Sequence, residues 1–67
     1  MKNKISEMLG IEVKEVEINE DLQIIEGSAI YNEEETISIE KLSDGETFYV
    51  TVKVNEFWEF EGYYQEV

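Results

Sequence analysis

Residues Thr36–Val54 read TISIEKLSDGETFYVTVKV, two alternating runs joined through Ser43-Asp44-Gly45-Glu46. Asp-Gly between such runs is the strongest short-range hairpin signal, because a two-residue type I′ turn needs positive φ at both central positions. A loop of Asp44 and Gly45 sets Ser43 against Glu46, Lys41 against Phe48, Ile39 against Val50 and Ile37 against Val52. Ile37, Ile39, Phe48, Val50 and Val52 then share one face, and Thr36, Ser38, Glu40, Tyr49, Thr51 and Lys53 share the other. A slip of one residue would exchange the two faces, so turn and pattern fix the same register.

The segments on either side extend this hairpin. Asn3–Gly10 has the marks of a short helix: Asn3 as N-cap, Ile5, Met8 and Leu9 on one face, and Gly10 as the C′ residue. A helix of this length is not stable alone and must dock on the sheet. Ile11–Ile18 alternates with a change of phase, Ile11 and Val13 in one parity and Val16 and Ile18 in the other, which predicts a bulge at Lys14-Glu15. Asn19-Glu20-Asp21 follows as a turn by composition. Leu22–Tyr31 reads as a strand with an irregularity at Gly27, and Asn32–Glu35 as a four-residue loop setting Ile30 against Ile37 and Glu26 against Lys41. After Val54, a three-residue loop Asn55–Phe57 sets Val54 against Trp58, Val52 against Phe60 and Phe48 against Tyr64. It is preferred to a two-residue loop, which would set Val52 against Glu59. Phe57, Glu59, Glu61 and Tyr63 then point away from the core. The predicted fold is α+β: a short N-terminal helix followed by an antiparallel β-meander of four to five strands, as a curled sheet or half-barrel, in one acidic domain over residues 1–67.

Composition narrows the function. A chain of 67 residues buries only about 60% of its unfolded surface. There is no Cys for a disulfide or a thiolate metal site, so support must come from a well-packed core or from a homodimer. The aromatics Phe48, Tyr49, Phe57, Trp58, Phe60, Tyr63 and Tyr64 crowd the C-terminal third and supply much of that core. Seventeen acidic residues face five lysines, a formal net charge of -12. Regular alternation and 42% hydrophobic content oppose disorder despite that charge. The sign excludes direct binding to nucleic acid or anionic lipid and favours basic protein partners. No apolar leader follows Met1-Lys2-Asn3-Lys4 and no apolar run is long enough to span a bilayer, which predicts a cytoplasmic protein, in the host cytoplasm if phage-encoded.

Site chemistry is sparse. Histidine, the usual base near neutral pH, is absent, as is any Cys or Ser–His pair for nucleophilic attack. The four glycines are scattered rather than gathered in a phosphate-cradling loop. Glu33-Glu34-Glu35 lacks the spacing and the turn glycine of a calcium loop and reads as a solvated loop. No enzyme activity, cofactor or metal is therefore predicted. Glu12, Glu15 and Glu17 lie on one segment and Glu59 and Glu61 on another; residues two apart, as Glu15/Glu17 and Glu59/Glu61 are, project the same way about 6.5–7 Å apart along a strand. Such carboxylate rows imitate the charge spacing of a phosphate backbone. Phe57, Trp58 and Tyr63 among them add the aromatic anchors of a protein-binding patch, with Tyr49 as a further outward aromatic.

In size, charge and strand content the chain resembles the small acidic inhibitors that phages and mobile elements direct at host nucleases: DNA mimics, anti-restriction and anti-CRISPR proteins, and inhibitors of uracil-DNA glycosylase. The resemblance implies an inhibitory protein that occupies the basic surface of a nucleic-acid-processing enzyme. The alternative is a protein–protein adaptor or oligomerising module whose acidity serves solubility alone.

Overall fold

The computed structural model describes residues 1–67 as one helix and five strands. The helix α1 spans Lys2–Leu9, followed by β1 Val13–Val16, β2 Tyr31–Glu33, β3 Ile37–Lys41, β4 Phe48–Val54 and β5 Phe57–Glu66. All pairings are antiparallel, in the order β1-β5-β4-β3-β2, so β2 to β5 form a meander and β1 adds beside the last strand. The sheet is open, with β1 and β2 at its edges. No helix is long and apolar enough to cross a membrane.

The central hairpin has the predicted register, with Ile37, Ile39 and Lys41 opposite Val52, Val50 and Phe48. Its turn differs from the two-residue form. Gly45 has φ 72° but Asp44 does not share the positive φ of a type I′ turn. Leu42 N–H donates to Thr47 O at 2.9 Å, and Gly45 N–H to Leu42 O at 2.9 Å. The loop is therefore Ser43–Glu46, and Ser43 N–H pairs with Gln23 O rather than across to Glu46. Asp44 holds the loop: its Oδ1 accepts from Glu46 N and Thr47 N, both at 2.9 Å, and its Oδ2 accepts from Thr47 Oγ1 at 2.6 Å. A two-residue and a four-residue loop centred on the same bond give the same register, which is why the pairing survives the change of turn.

One face of the sheet carries the core. Ile5 of α1 packs with Val13, Ile37, Ile39, Phe48, Val50 and Tyr64, flanked by Met8, Leu9, Ile11, Tyr31 and Val52. α1 begins at Met1 as N-cap without a side-chain bond, so Asn3 lies inside the helix rather than capping it. It ends at Gly10, whose left-handed φ of 71° lets its N–H return to Ser6 O. Ser6 Oγ also accepts the N–H of Val13 at 3.2 Å, tying the helix to the β1 edge, and Lys4 reaches Glu33 at 3.5 Å near the opposite edge.

β1 carries no bulge at Lys14-Glu15; its pairing with β5 is continuous. The phase change in the sequence has another cause: Val13 is buried against the helix, whereas Val16, opposite Tyr63, belongs to the outer face. Leu22–Tyr31 is not one strand. It makes one bridge just past the end of β3, at Ile24↔Leu42, turns through Gly27 at φ 77°, and pairs with β3 from Tyr31. Ser28 Oγ fills the gap by bonding both the N–H and the C=O of Lys41 at 3.3 Å. Asn32 and Glu33 belong to β2, and Tyr31, not Ile30, takes the inward place, opposite Ile39. The turn that replaces the expected loop puts Glu34 and Glu35 at φ 47° and 59°, closed by Thr36 N–H to Glu33 O.

The β4–β5 hairpin departs furthest from expectation. Its loop is the two-residue Asn55-Glu56, both at positive φ, and Val52 does face Glu59. Glu61 is then an extra residue in β5, because Thr51 faces Phe60 and Val50 faces Gly62. This bulge restores the predicted pair Phe48↔Tyr64 below it and reverses the faces of the residues above it. Trp58 and Phe60 therefore lie on the outer face with Tyr63, while Phe57 and Glu59 share the side of Val54 and Val52.

Candidate functional site

The outer face of the sheet, remote from α1, is the candidate site. By register it presents Lys14 and Val16 of β1, Trp58, Phe60, Tyr63 and Gln65 of β5, Tyr49, Thr51 and Lys53 of β4, and Ser38 and Glu40 of β3. Its lower part is covered. The connection after β1 shares a cleft, through Ile18, Asn19 and Leu22, with Asp44 and Gln65 at the base of the sheet. Leu42 and Thr47 are buried there, and Gln65 Nε2 donates to Thr47 Oγ1 at 2.9 Å.

The upper part is open and aromatic. Tyr49, Phe60 and Tyr63 form a mutually packed triad, with ring centroids 5.1 Å (Tyr49–Phe60), 5.8 Å (Tyr49–Tyr63) and 4.8 Å (Phe60–Tyr63) apart at tilted angles. Phe60 is 51% exposed and Trp58, two residues along, 44%. Phe57, at the projecting hairpin tip, is 73% exposed. Exposed aromatic side chains gathered on one sheet face make this the candidate binding surface. Its margin is acidic: a shallow groove beside the triad is lined by Glu15, Glu17, Glu61, Val16, Phe60 and Tyr63 and contains no lysine. Lys53, opposite Trp58, and Lys14, opposite Gln65, are the cations of this face.

The two carboxylate rows expected from the sequence do not form. Glu12 precedes β1 and lines a groove beside α1 with Lys2 and Glu7. Glu15 faces the helix side, opposite Tyr64. Glu17 lies beyond the end of β1 and borders the outer groove. Glu59 sits on the Val52 side, and Glu61 occupies the bulge, so the two are not successive members of one strand face. Glu59 is exposed and Glu61 half-buried. The structure brings together Trp58 and Tyr63 of the expected aromatic anchors and adds Phe60, which sequence parity had placed in the core; Phe57 stands apart on the opposite side at the tip. Gly62, a glycine inside a strand, is the one sequence signal for the bulge that moves Phe60 outward.

Gly62 also admits the ring of Tyr64. A Cβ at Gly62 would lie 3.4 Å from Tyr64 Cε1, 3.7 Å from its hydroxyl and 3.8 Å from Glu15 Oε1. Burial, and then the charges of Glu61 and Glu15, raise the Tyr64 phenol above its ordinary 10.0. Glu15 and Glu61 thus converge near Tyr64 at the border of the groove, two of the acids the sequence singled out, here joined by the bulge rather than by alternation. No group of three or more acidic side chains converges to hold a metal ion. No protein family, curated protein or solved structure matches the chain, so the site stands on its own geometry and charge.

Proposed function

We propose that this chain is a small acidic binding protein that occupies the basic surface of a nucleic-acid-binding enzyme and inhibits it. The observation that supports this reading is the open aromatic face around Phe60, bordered by Glu15, Glu17 and Glu61, in a chain of net charge -12. A few side chains, aromatic ones prominent among them, carry most of the energy of a protein interface, and the surrounding charge selects a cationic partner and speeds its approach. In this reading affinity comes from the aromatic centre, and the acids steer and select rather than trace a phosphate path.

The test is affinity capture from a cell lysate on the immobilised chain, eluted by a salt gradient. Retained proteins should bind nucleic acid, leave the column as salt rises and be displaced by duplex DNA. Phe60→Ala should weaken retention by about tenfold, the cost of a typical interface anchor. Partners indifferent to both salt and DNA would overturn the reading. They would favour an adaptor whose acidity serves solubility, for which the spread of carboxylates over α1, both sheet faces and the turns is the supporting observation.

A further inference from the structure

The strand β5 runs from Phe57 to Glu66, but β1 covers only its lower part, from Tyr63 to Glu66. Above Tyr63 the side of β5 away from β4 has no neighbour in the sheet. The direction of its free backbone groups follows from the register. Val54↔Phe57 closes a two-residue turn and is therefore a hydrogen-bonded pair, so Phe57 and Glu59 spend their N–H and C=O groups on β4. Trp58 and Phe60 direct theirs to the open edge. The same phase continues below the bulge, where Val67 N–H bonds Glu12 O at 3.0 Å in the β1 pairing.

We infer that this open edge accepts an extended, basic segment of the partner as an added antiparallel strand, continuing the line of β1 beyond Val16. The inference rests on the proposed binding of a basic partner and adds the mode. An incoming residue opposite Glu59 lies on the Glu59 side of the sheet and meets its carboxylate, so a lysine or arginine suits that position. Incoming residues opposite Trp58 and Phe60 lie on the outer face and suit apolar side chains. At the foot of the edge, Glu15, Glu17 and Glu61 offer three carboxylates and no lysine. The occupant is thus a strand alternating basic and apolar residues. A second copy of this chain would instead bring Glu59 and Glu61 against its own acids, at -12 per chain.

The probe is an acetylated heptapeptide of alternating lysine and valine, titrated into the nitrogen-15-labelled chain at low salt. The Trp58 and Phe60 amides should shift and become protected from hydrogen exchange. In the antiparallel pairing the valine amides face β5, so N-methylation of the valines should weaken binding by about tenfold or more, the loss of two or three main-chain hydrogen bonds. N-methylation of the lysines, whose amides face away, should leave binding within about threefold of the parent, less than the loss of one hydrogen bond. Equal, salt-sensitive binding of all three peptides would overturn the added strand while leaving the basic-partner reading intact. Absence of binding by any of them overturns the added strand; the lysate experiment then decides the broader reading separately. Concentration-dependent protection of Trp58 and Phe60 in the chain alone would overturn it in favour of self-pairing.

Discussion

Asp44 is the residue whose removal best tests how the central hairpin is held. Asp44→Ala deletes three hydrogen bonds, to the N–H groups of Glu46 and Thr47 at 2.9 Å and to the Thr47 hydroxyl at 2.6 Å. Thr47 is buried, so its N–H and hydroxyl lose an acceptor where water reaches poorly; the hydroxyl keeps only the bond it accepts from Gln65. A neutral hydrogen bond contributes about 1 kcal/mol net, and a buried group left without its partner costs about 1–3 kcal/mol. The exposed carboxylate keeps the total near the lower end, about 2–3 kcal/mol. That is a large part of the roughly 3–10 kcal/mol available to a domain of this size. At roughly 4–8 °C per kcal/mol, the melting temperature should fall by about 10–20 °C. Asp44→Asn keeps an amide oxygen for both backbone N–H groups and loses the charge and the hydroxyl acceptor, so it should cost about half as much. The Thr47 hydroxyl, then the N–H groups of Thr47 and Glu46, lower the Asp44 pKa below 3.8. The stability this carries is complete above that ordinary value and disappears as pH falls through the lowered one. The difference between wild type and Asp44→Asn, read by urea unfolding with Trp58 fluorescence and circular dichroism, should be flat at neutral pH and shrink only below about pH 4. A cost for Asp44→Ala under about 0.5 kcal/mol, the scatter of ordinary surface changes, would show that Asp44 does not hold the hairpin.

Gly45→Val should destabilise by about 1–2 kcal/mol through backbone strain alone, since φ is 72° and a Cβ there meets nothing within 4 Å; Gly45→Asn should lower the urea midpoint less. The buried Tyr64 phenol, its pKa raised by burial and by Glu61 and Glu15, favours the fold while neutral, and that contribution is lost as pH climbs past its ordinary 10.0 through the raised value. Tyr64→Phe should therefore move alkaline unfolding to higher pH, and an unmoved midpoint would mean that Tyr64 does not govern it.

The hairpin was legible because Ile37, Ile39, Val50 and Val52 allow only one register about Asp44-Gly45, whichever loop length closes it. The helix was legible for the same kind of reason, from Ile5, Met8 and Leu9 at helical spacing and Gly10 at its end. What failed were turns that run against local preference. Glu34, Glu35 and Glu56 adopt positive φ, a region such side chains seldom occupy, and nothing in the residues themselves announces it. The pattern argues against a two-residue Asn55-Glu56 loop because that loop places Glu59 opposite Val52, a poor pair inside a core. The pair is tolerable because Glu59 is exposed, toward the hairpin tip and past the buried core residues.

The candidate site was illegible for one physical reason, and that reason bears on function. A single added residue, Glu61, separates the alternation of Phe57–Phe60 from that of Gly62–Glu66. Below it, Tyr64 must face the core to meet Phe48, which sends Tyr63 outward. Above it, the Asn55-Glu56 turn sends Phe60 and Trp58 to that same side. Without the bulge, the tip and the base would present opposite parities, and the aromatic triad with Tyr49 could not assemble. The acids are redistributed by the same step: Glu59 leaves the outer face, and Glu61 moves to the border of the groove with Glu15 and Glu17. The bulge thus converts a pattern that reads as a carboxylate row into an aromatic surface with an acidic margin, beside an unpaired length of β5. That surface is poorly matched to a second copy of itself, because joining two chains of charge -12 concentrates like charges within a Debye length of about 10 Å. On the proposed reading, a cationic strand or surface would remove that repulsion as it covered the rings, so the acidic margin would select the sign of the partner.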